Sequence, residues 1–206
     1  MIKLLAFAAS VAVAPQIGWF AATDGRVVAV SGVAGNLVTG ASLEQHGRLL
    51  ASHGSKVLLL DEGEVVLLVD GVETSRSTAG GAAVAGFDSN GEFRIAENGD
   101  EWIAVAGGWR VEAQDGSAWI VGPDESRRFV GGEITAAAVW DDGAVLIVRS
   151  GRLWFLDPAG AETDLGLSHA LALIRIGNDW AQAGSMAIRR RGAKADAFVL
   201  PGSVLE

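Results

Sequence analysis

The sequence predicts an all-β fold of consecutive antiparallel hairpins, and three observations predict it. Glycine is abundant, at 28 of 206 residues, and polar-Gly pairs recur along the chain. Apolar runs between those pairs are short and rich in Val, Ile and Leu, as strands are. Helical periodicity is nearly absent after Ala14. The stretch "VWDDGAVLIVRSGRLWFLDPAG", Val139 to Gly160, shows all three.

The polar-Gly pairs are Asp24-Gly25, His46-Gly47, Glu62-Gly63, Asp70-Gly71, Asn90-Gly91, Asn98-Gly99, Asp115-Gly116, Asp142-Gly143 and Ser150-Gly151. Several lie eight residues apart, which is room for one short strand and one tight turn. Asn-Gly and Asp-Gly supply the positive φ angles that hairpin turns demand. Hairpins rather than βαβ units follow.

The segments echo one another. "GRVVAVSG" from Gly25 aligns with "GRLLASHG" from Gly47, and "GRLLASHGS" with "GNDWAQAGS" from Gly177. "NGEFRIAENGDEW" from Asn90 aligns with "DGAVLIVRSGRLW" from Asp142, setting Trp102 on Trp154. Taking Gly47, Gly91, Gly143 and Gly177 as anchors gives spacings of 44, 52 and 34 residues. A four-stranded propeller blade occupies roughly 40 residues. About twenty strands and about five blades are therefore expected, with six strands crowded between Ala82 and Ile134.

Strand patterning agrees. "KVLLL" (Lys56–Leu60) and "AVLIV" (Ala144–Val148) are apolar on both faces, which suits a strand covered on both sides. A two-layer β-sandwich, the alternative architecture, would expose one face of each sheet and alternate more cleanly. "ALALIRI", ending at Ile176, reads as a strand. The N-terminal "IGWFAATDGRVVAV" reads as two strands that complete the C-terminal blade beside "AFVLPG", closing the ring.

Residues 1–14, "MIKLLAFAASVAVA", carry Lys3, an apolar run and an Ala-Val-Ala end. Those are the parts of a secretory signal. Against it stand the short length and Pro15 directly after the cut; a hydrophobic first strand is the competing reading. The expected organisation is a signal over 1–14 and one domain over 15–206, placed in the periplasm or outside the cell. No later apolar run approaches the ~20 residues of a membrane span.

The chain resembles the bacterial β-propellers built from degenerate blades. The resemblance rests on "FDSNGEFRIAENGDEWIAV", "VWDDGAVLIVRSGRLWFLDPAG" and "IRIGNDWAQAGSMAIRRR". The opening "IGWFAATDGRVVAVSGVAGNLVTG" is similar to exported bacterial propeller-like proteins of unknown role. WD40 repeats match poorly: Trp140-Asp141 is a Trp-Asp pair, but no Gly-His opens the unit. A sialidase-type Asp box is missing. The resemblance therefore implies a fold and assigns no residue a role.

Chemistry is sparse. A net charge of −9 opposes nucleic-acid binding. No cysteine is present, which removes thiol chemistry and Cys-based metal sites. There is no Gly-x-Ser-x-Gly elbow and no phosphate loop, and "GGAAVAG" (Gly80–Gly86) lacks the strand–helix setting of a dinucleotide site. "DSNGE" (Asp88–Glu92) spaces its oxygens as a calcium loop can, yet Asn90-Gly91 is itself a turn. His46, His53 and His169 have no zinc spacing, although His46 and His53 can face each other across a hairpin. No catalytic residue, metal ligand or cofactor is assigned. The run Arg189, Arg190, Arg191 and Lys194 reads as a solvated strand end.

The pairs Asp61/Glu62, Asp100/Glu101 and Asp141/Asp142 read as turn acids, since neighbours on a strand point to opposite sides. The most suggestive combination is aromatic beside acid, in Trp140-Asp141-Asp142, Asn178-Asp179-Trp180 and Asp100-Glu101-Trp102. An indole stacks on sugars or cations while a carboxylate accepts their donors. The candidate ligand-binding residues are accordingly Asp100, Trp140, Asp141, Asp142, Asp179 and Trp180. The competing use of these tryptophans is filling space between blades. The expected function is an exported binding module for an extracellular small molecule, saccharide or protein. Two rivals stand beside it: a hydrolase or lyase with two carboxyls at the central channel, and a purely structural envelope module.

Overall fold

The computed structural model describes residues 14–22, 24–79, 84–96, 102–114 and 116–200. The proposed signal over residues 1–14 lies almost wholly outside them, as does the Asn98-Gly99 pair. The described residues contain twenty-one strands and no helix. The chain is an all-β propeller of four-stranded antiparallel blades.

Four blades of four strands are complete in simple meander order, two as separate sheets and two joined through their first strands in one eight-stranded sheet. They comprise β4 to β7 (Arg48–His53, Lys56–Asp61, Glu64–Val69, Val72–Thr78) and β10 to β13 (Trp102–Ala106, Trp109–Gln114, Ser117–Val121, Arg127–Gly131). The others are β14 to β17 (Ile134–Val139, Val145–Arg149, Arg152–Leu156, Glu162–Leu167) and β18 to β21 (Leu173–Ile176, Trp180–Ala183, Met186–Arg191, Lys194–Val199). Two sheets are shorter. One is β1 to β3 (Gln16–Ala21, Val27–Val33, Asn36–Ser42) and the other is β8 with β9 (Ala85–Phe87, Phe93–Ile95). The six strands crowded between Ala82 and Ile134 thus divide into two and four. "ALALIRI" is a strand only from Leu173.

The outer hairpins follow from their turn residues. Glu62, Asp70 and Ser150 sit at φ of 48°, 51° and 52°, each before a glycine with positive φ. That pair of left-handed residues is the two-residue turn whose twist matches the flanking strands. The Asp88–Gly91 and Trp140–Gly143 connections are wider. In each, only the glycine is left-handed, and an i to i+3 backbone bond closes the turn.

Packing covers the middle strands from both sides. Val145 to Val148 are all buried, as are Val57 to Leu59. Alternate residues of β15 face opposite neighbours. Leu146 and Val148 join the β18–β21 blade, whereas Val145 and Ile147 join the β10–β13 blade. The first strands neighbour one another in the cyclic order β4, β8, β10, β14, β18, β4. Each sheet stays open, and contact between first strands runs round the hub. β4 and β18 are parallel and share one rung, Ile176 against Ser52, with Gly177 N–H donating to Ser52 C=O at 2.7 Å.

The N-terminal strands depart from expectation. They do not complete the C-terminal blade, which already holds four strands of its own. β1 to β3 form a separate sheet wedged between the β4–β7 and β18–β21 blades, burying Phe20, Val28 and Val30 against both. Two buried side chains replace the missing ladder at β1. Ser52 Oγ lies 3.3 Å from Trp19 N and 3.2 Å from Trp19 O. Gln182 accepts from Ala21 N–H at 2.8 Å and donates to Ala21 C=O at 2.7 Å. Gly18 is required beside them, because a Cβ there would stand 2.4 Å from Ile176 Cγ2.

Two echoes also mislead. Trp102 opens a first strand, whereas Trp154 lies on a third strand, so they are not equivalent positions. Gly47 precedes β4, while Gly91, Gly143 and Gly177 follow first strands; the matching glycine is Gly54. His46 and His53 flank the two ends of β4 and do not face each other.

Gln182→Leu removes both side-chain partners of Ala21 and leaves a partly buried N–H and C=O unpaired. Each orphan costs about 1–3 kcal/mol. The expected outcome in urea melts is a loss of about 2–4 kcal/mol, with accelerated amide exchange at Ala21.

Candidate functional site

The connections that follow the first strands meet at one mouth of the hub. Gly107 shows it directly: a Cβ there would lie 3.5 Å from Asp88 Cβ and 3.6 Å from Asp141 Cβ. A Cβ at Gly91 would lie 3.1 Å from His53 Cδ2 and 3.4 Å from Lys56 Nζ, and Lys56 donates to Gly91 C=O at 2.7 Å. The Asp88–Glu92 segment is a turn. Its Asp88 carboxylate accepts from Asn90 and Glu92 N–H at 2.8 and 2.9 Å.

Arg175 binds this mouth together. It is the third residue of the otherwise apolar strand β18 and is only 6% exposed. Its guanidinium donates to Phe87 C=O at 2.7 Å, to Gly177 C=O at 3.0 Å and to Asp141 Oδ1 at 2.5 Å. The other Asp141 oxygen accepts from Ser89 N–H. Burial by itself would raise the Asp141 carboxyl. The Arg175 charge and the hydrogen bonds from Ser89 and Arg175 outweigh it and hold the group below the usual carboxylate range. His53 is lowered in turn, by burial and by the Arg175 and Lys56 charges.

Beyond Arg175 lies a rim pocket of about 390 Å³. Trp140, Asp141, Asp142 and Asp179 all line it, with Ser89, Asn178 and Arg190 among the rest. The adjacent acids diverge: Asp141 turns to Arg175, and Asp142 pairs with Arg190. Arg190 also stands 5.5 Å over the Trp140 ring. The Asp179 carboxylate has no hydrogen-bond or ion-pair partner among the described residues and is exposed.

The indoles behave differently from the acids. Trp140 is 1% exposed and packs edge-on to Phe155 in the inter-blade core. Trp180 points to the opposite side of its blade, into the core under β1–β3, beside Phe198. Neither offers a stacking face to solvent. Trp102 stands at the far end of the hub, since it starts β10 whereas Trp140 follows β14. Arg94 covers it at 4.5 Å. Asp100 and Glu101 lie outside the described residues. The structure therefore brings two of the three aromatic-acid triplets to one mouth, and Trp102 of the third stands at the other end.

Between the two mouths the five first strands enclose a central cavity of about 500 Å³. Small and aliphatic residues line it, with Arg48, Trp102 and Thr135 near the start of the strands and Arg175 at their end. Among the described lining residues there is no carboxylate. The paired channel carboxyls of the hydrolase reading have no counterpart among the described lining residues, and Asp141, which pairs with the lining Arg175, is lowered rather than raised.

Sequence reasoning missed Arg175, Ser89 and Arg190. The available signal for Arg175 was one cation inside an apolar first strand, "LIRI". Arg190 belongs to the basic run read as a solvated strand end, yet it is half-buried in the rim.

No protein-family model and no curated protein matches the chain. Solved structures do. One is PorZ, described as an essential bacterial surface component of the type-IX secretion system of Porphyromonas gingivalis, at 10% identity and TM-score 0.36. The match covers 89% of this chain and 24% of that one. Another is the Pan2 WD40 domain of Neurospora crassa, at 12% identity and TM-score 0.45, covering 91% and 80%. A protein of unknown function from Bacteroides caccae matches at 11% identity and TM-score 0.36, covering 92% and 74%. The chain spans about a quarter of the length of PorZ. No residue role passes from any of these to this chain.

Asp141→Asn leaves the buried Arg175 without its counter-charge. The expected loss is about 2–4 kcal/mol, somewhat under that of a fully buried pair because Asp141 is partly exposed. A carboxyl lowered by folding stabilises at neutral pH, and that share disappears as pH falls from about 4 through the lowered value. Denaturant melts across pH 2–7, a range of about five units spanning the carboxylate titration, should show a shallower acid loss in the variant.

Proposed function

We propose that this chain is an exported binding module that engages a polar ligand or a protein partner through the turn mouth of its hub. One observation carries the reading: acid-bearing turns from two neighbouring blades meet the Asp88–Glu92 turn around one pocket. Asp179 and Asn178 are exposed there, and Asp142 is half-committed to Arg190. Three carboxylates face two guanidiniums, so the pocket suits hydroxyl or ammonium donors more than anions. Because both indoles are buried, recognition runs through hydrogen bonds and charge, without sugar stacking. The Lys3, apolar-run and Ala-Val-Ala pattern of residues 1–14 supports export. Among the described residues no helix is long and apolar enough to cross a membrane.

The test is a thermal-shift series with neutral oligosaccharides, lysine-rich peptides and calcium. At a hundredfold excess over Kd, a bound probe contributes about 2.7 kcal/mol, or about 5–10 °C for a domain of this size. One class should produce that shift, and Asp142→Asn/Asp179→Asn should abolish it. If no class moves the melting point, or if the double variant responds like the parent, the turn mouth is not the binding site.

A further inference from the structure

His53 ends β4 at the hub mouth, and its imidazole is held on two edges. Nδ1 is buried and has no hydrogen-bond partner among the described residues. The other edge lies against the Asp88–Gly91 turn, where a Cβ at Gly91 would also stand 3.5 Å from His53 Nε2. The ring packs on Phe87 as well, with centroids 6.1 Å apart.

The turn that rests on this ring closes a small hairpin. β8 and β9 are three residues each and share three ladder pairs. Three contacts fasten the hairpin to its neighbours at this end. Lys56 donates to Gly91 C=O at 2.7 Å, Arg175 donates to Phe87 C=O at 2.7 Å, and Asp141 accepts from Ser89 N–H. They come from β5, from β18 and from the connection after β14.

Charges face the imidazole from each of these elements. Lys56 does so from β5, Asp88 from the turn itself, Asp141 from the connection after β14 and Arg175 from β18. Both acids are already engaged. Asp88 accepts from the Asn90 and Glu92 N–H groups, and Asp141 from Arg175 and Ser89. A proton on Nδ1 is therefore a buried donor without an acceptor, set beside two like charges. Burial first, and the two cations after it, hold the ring below its ordinary value of about 6.5. Histidine is the side chain whose charge changes most readily in mild acid.

We propose that the Asp88–Gly91 turn is an acid-released latch with His53 as its trigger. On taking up a proton, the ring is repelled by Lys56 and Arg175 and turns its Nδ1–H to water. Gly91 then loses the surface it rests on, and the Lys56 and Ser89 contacts yield with it. A released ring takes up its proton near pH ~6.5, whereas the packed ring does so only at lower pH. The hold on the turn is thus complete above about pH 6.5 and is lost as pH falls through the lowered value. Ser89 lines the rim pocket, so release changes that pocket too. The effect on a ligand rests on the reading of the pocket as the binding site; the release of the turn does not.

Amide exchange on the full-length protein, at about pH 7 and at about pH 5, above the carboxylate range, tests the latch without any ligand. Protection at Ser89 and Gly91, taken against the intrinsic rate at each pH, should fall at least about tenfold on acidification. Leu146 and Ile147 in β15 should keep theirs. The loss should follow the titration of the His53 ring, read from its NMR signals in the unsubstituted protein. His53→Phe and His53→Gln, which have no titrating ring, should show the same protection at both pH values. The proposal is overturned if Ser89 and Gly91 stay protected in acid, if β15 loses protection equally, or if a folded variant responds as the parent does. A midpoint more than about one pH unit from that of the ring also overturns it.

Discussion

A sheet whose middle strands are apolar on both faces has to be covered twice, and the rest of this molecule follows from that. Val57 to Leu59 and Val145 to Val148 leave neither face fit for water. One covering layer would satisfy a sandwich. Two coverings per sheet require each blade to serve its neighbour on either side, and the only finite arrangement is a cycle. Glycines set how closely the layers approach. At Gly86 a Cβ would fall 1.9 Å from Val105 C=O, so the short sheet can press against β10 only because that side chain is absent.

A cycle needs a seam, and here the seam is polar. β4 and β18 share a single rung, and the wedge of β1 to β3 enters outside it. An inserted strand brings backbone groups that must be paired away from water. Ser52 and Gln182 provide that pairing with side chains, each almost completely buried. The N-terminal sheet is thereby fixed to both ends of the chain's circuit without extending either blade.

The mouth of the hub uses the same economy with charge. Arg175 is buried where five connections converge, and its hydrogen bonds tie the turns of three sheets together. Its charge in turn sets the states of Asp141 and His53. The exposed polar groups outside it, on Asn178 and Asp179, stand on the turn that follows β18. Among the described residues, the β8–β9 sheet holds two strands where the blades on either side of it hold four.

The sequence by itself determined the strands and their turns. Left-handed residues before glycine at Glu62, Asp70 and Ser150 are local conformational facts, and so is the doubly apolar pattern of β15. It also determined that acids would crowd the first turns of neighbouring blades, since Asp141, Asp142 and Asp179 follow first strands directly. What it could not determine is anything fixed by residues far apart in the chain. The place of β1 depends on Ser52 and Gln182, which lie 33 and 161 residues from their partners. Whether an indole faces solvent depends on which blade it meets, so Trp140 and Trp180 went to the core while the acids beside them stayed at the surface. Arg175 reads as an ordinary strand residue until the turn from Phe87 and the carboxylate of Asp141 arrive around it. Tertiary structure decided these points because burial and ion pairing are properties of neighbours in space, and adjacency along the chain does not specify them.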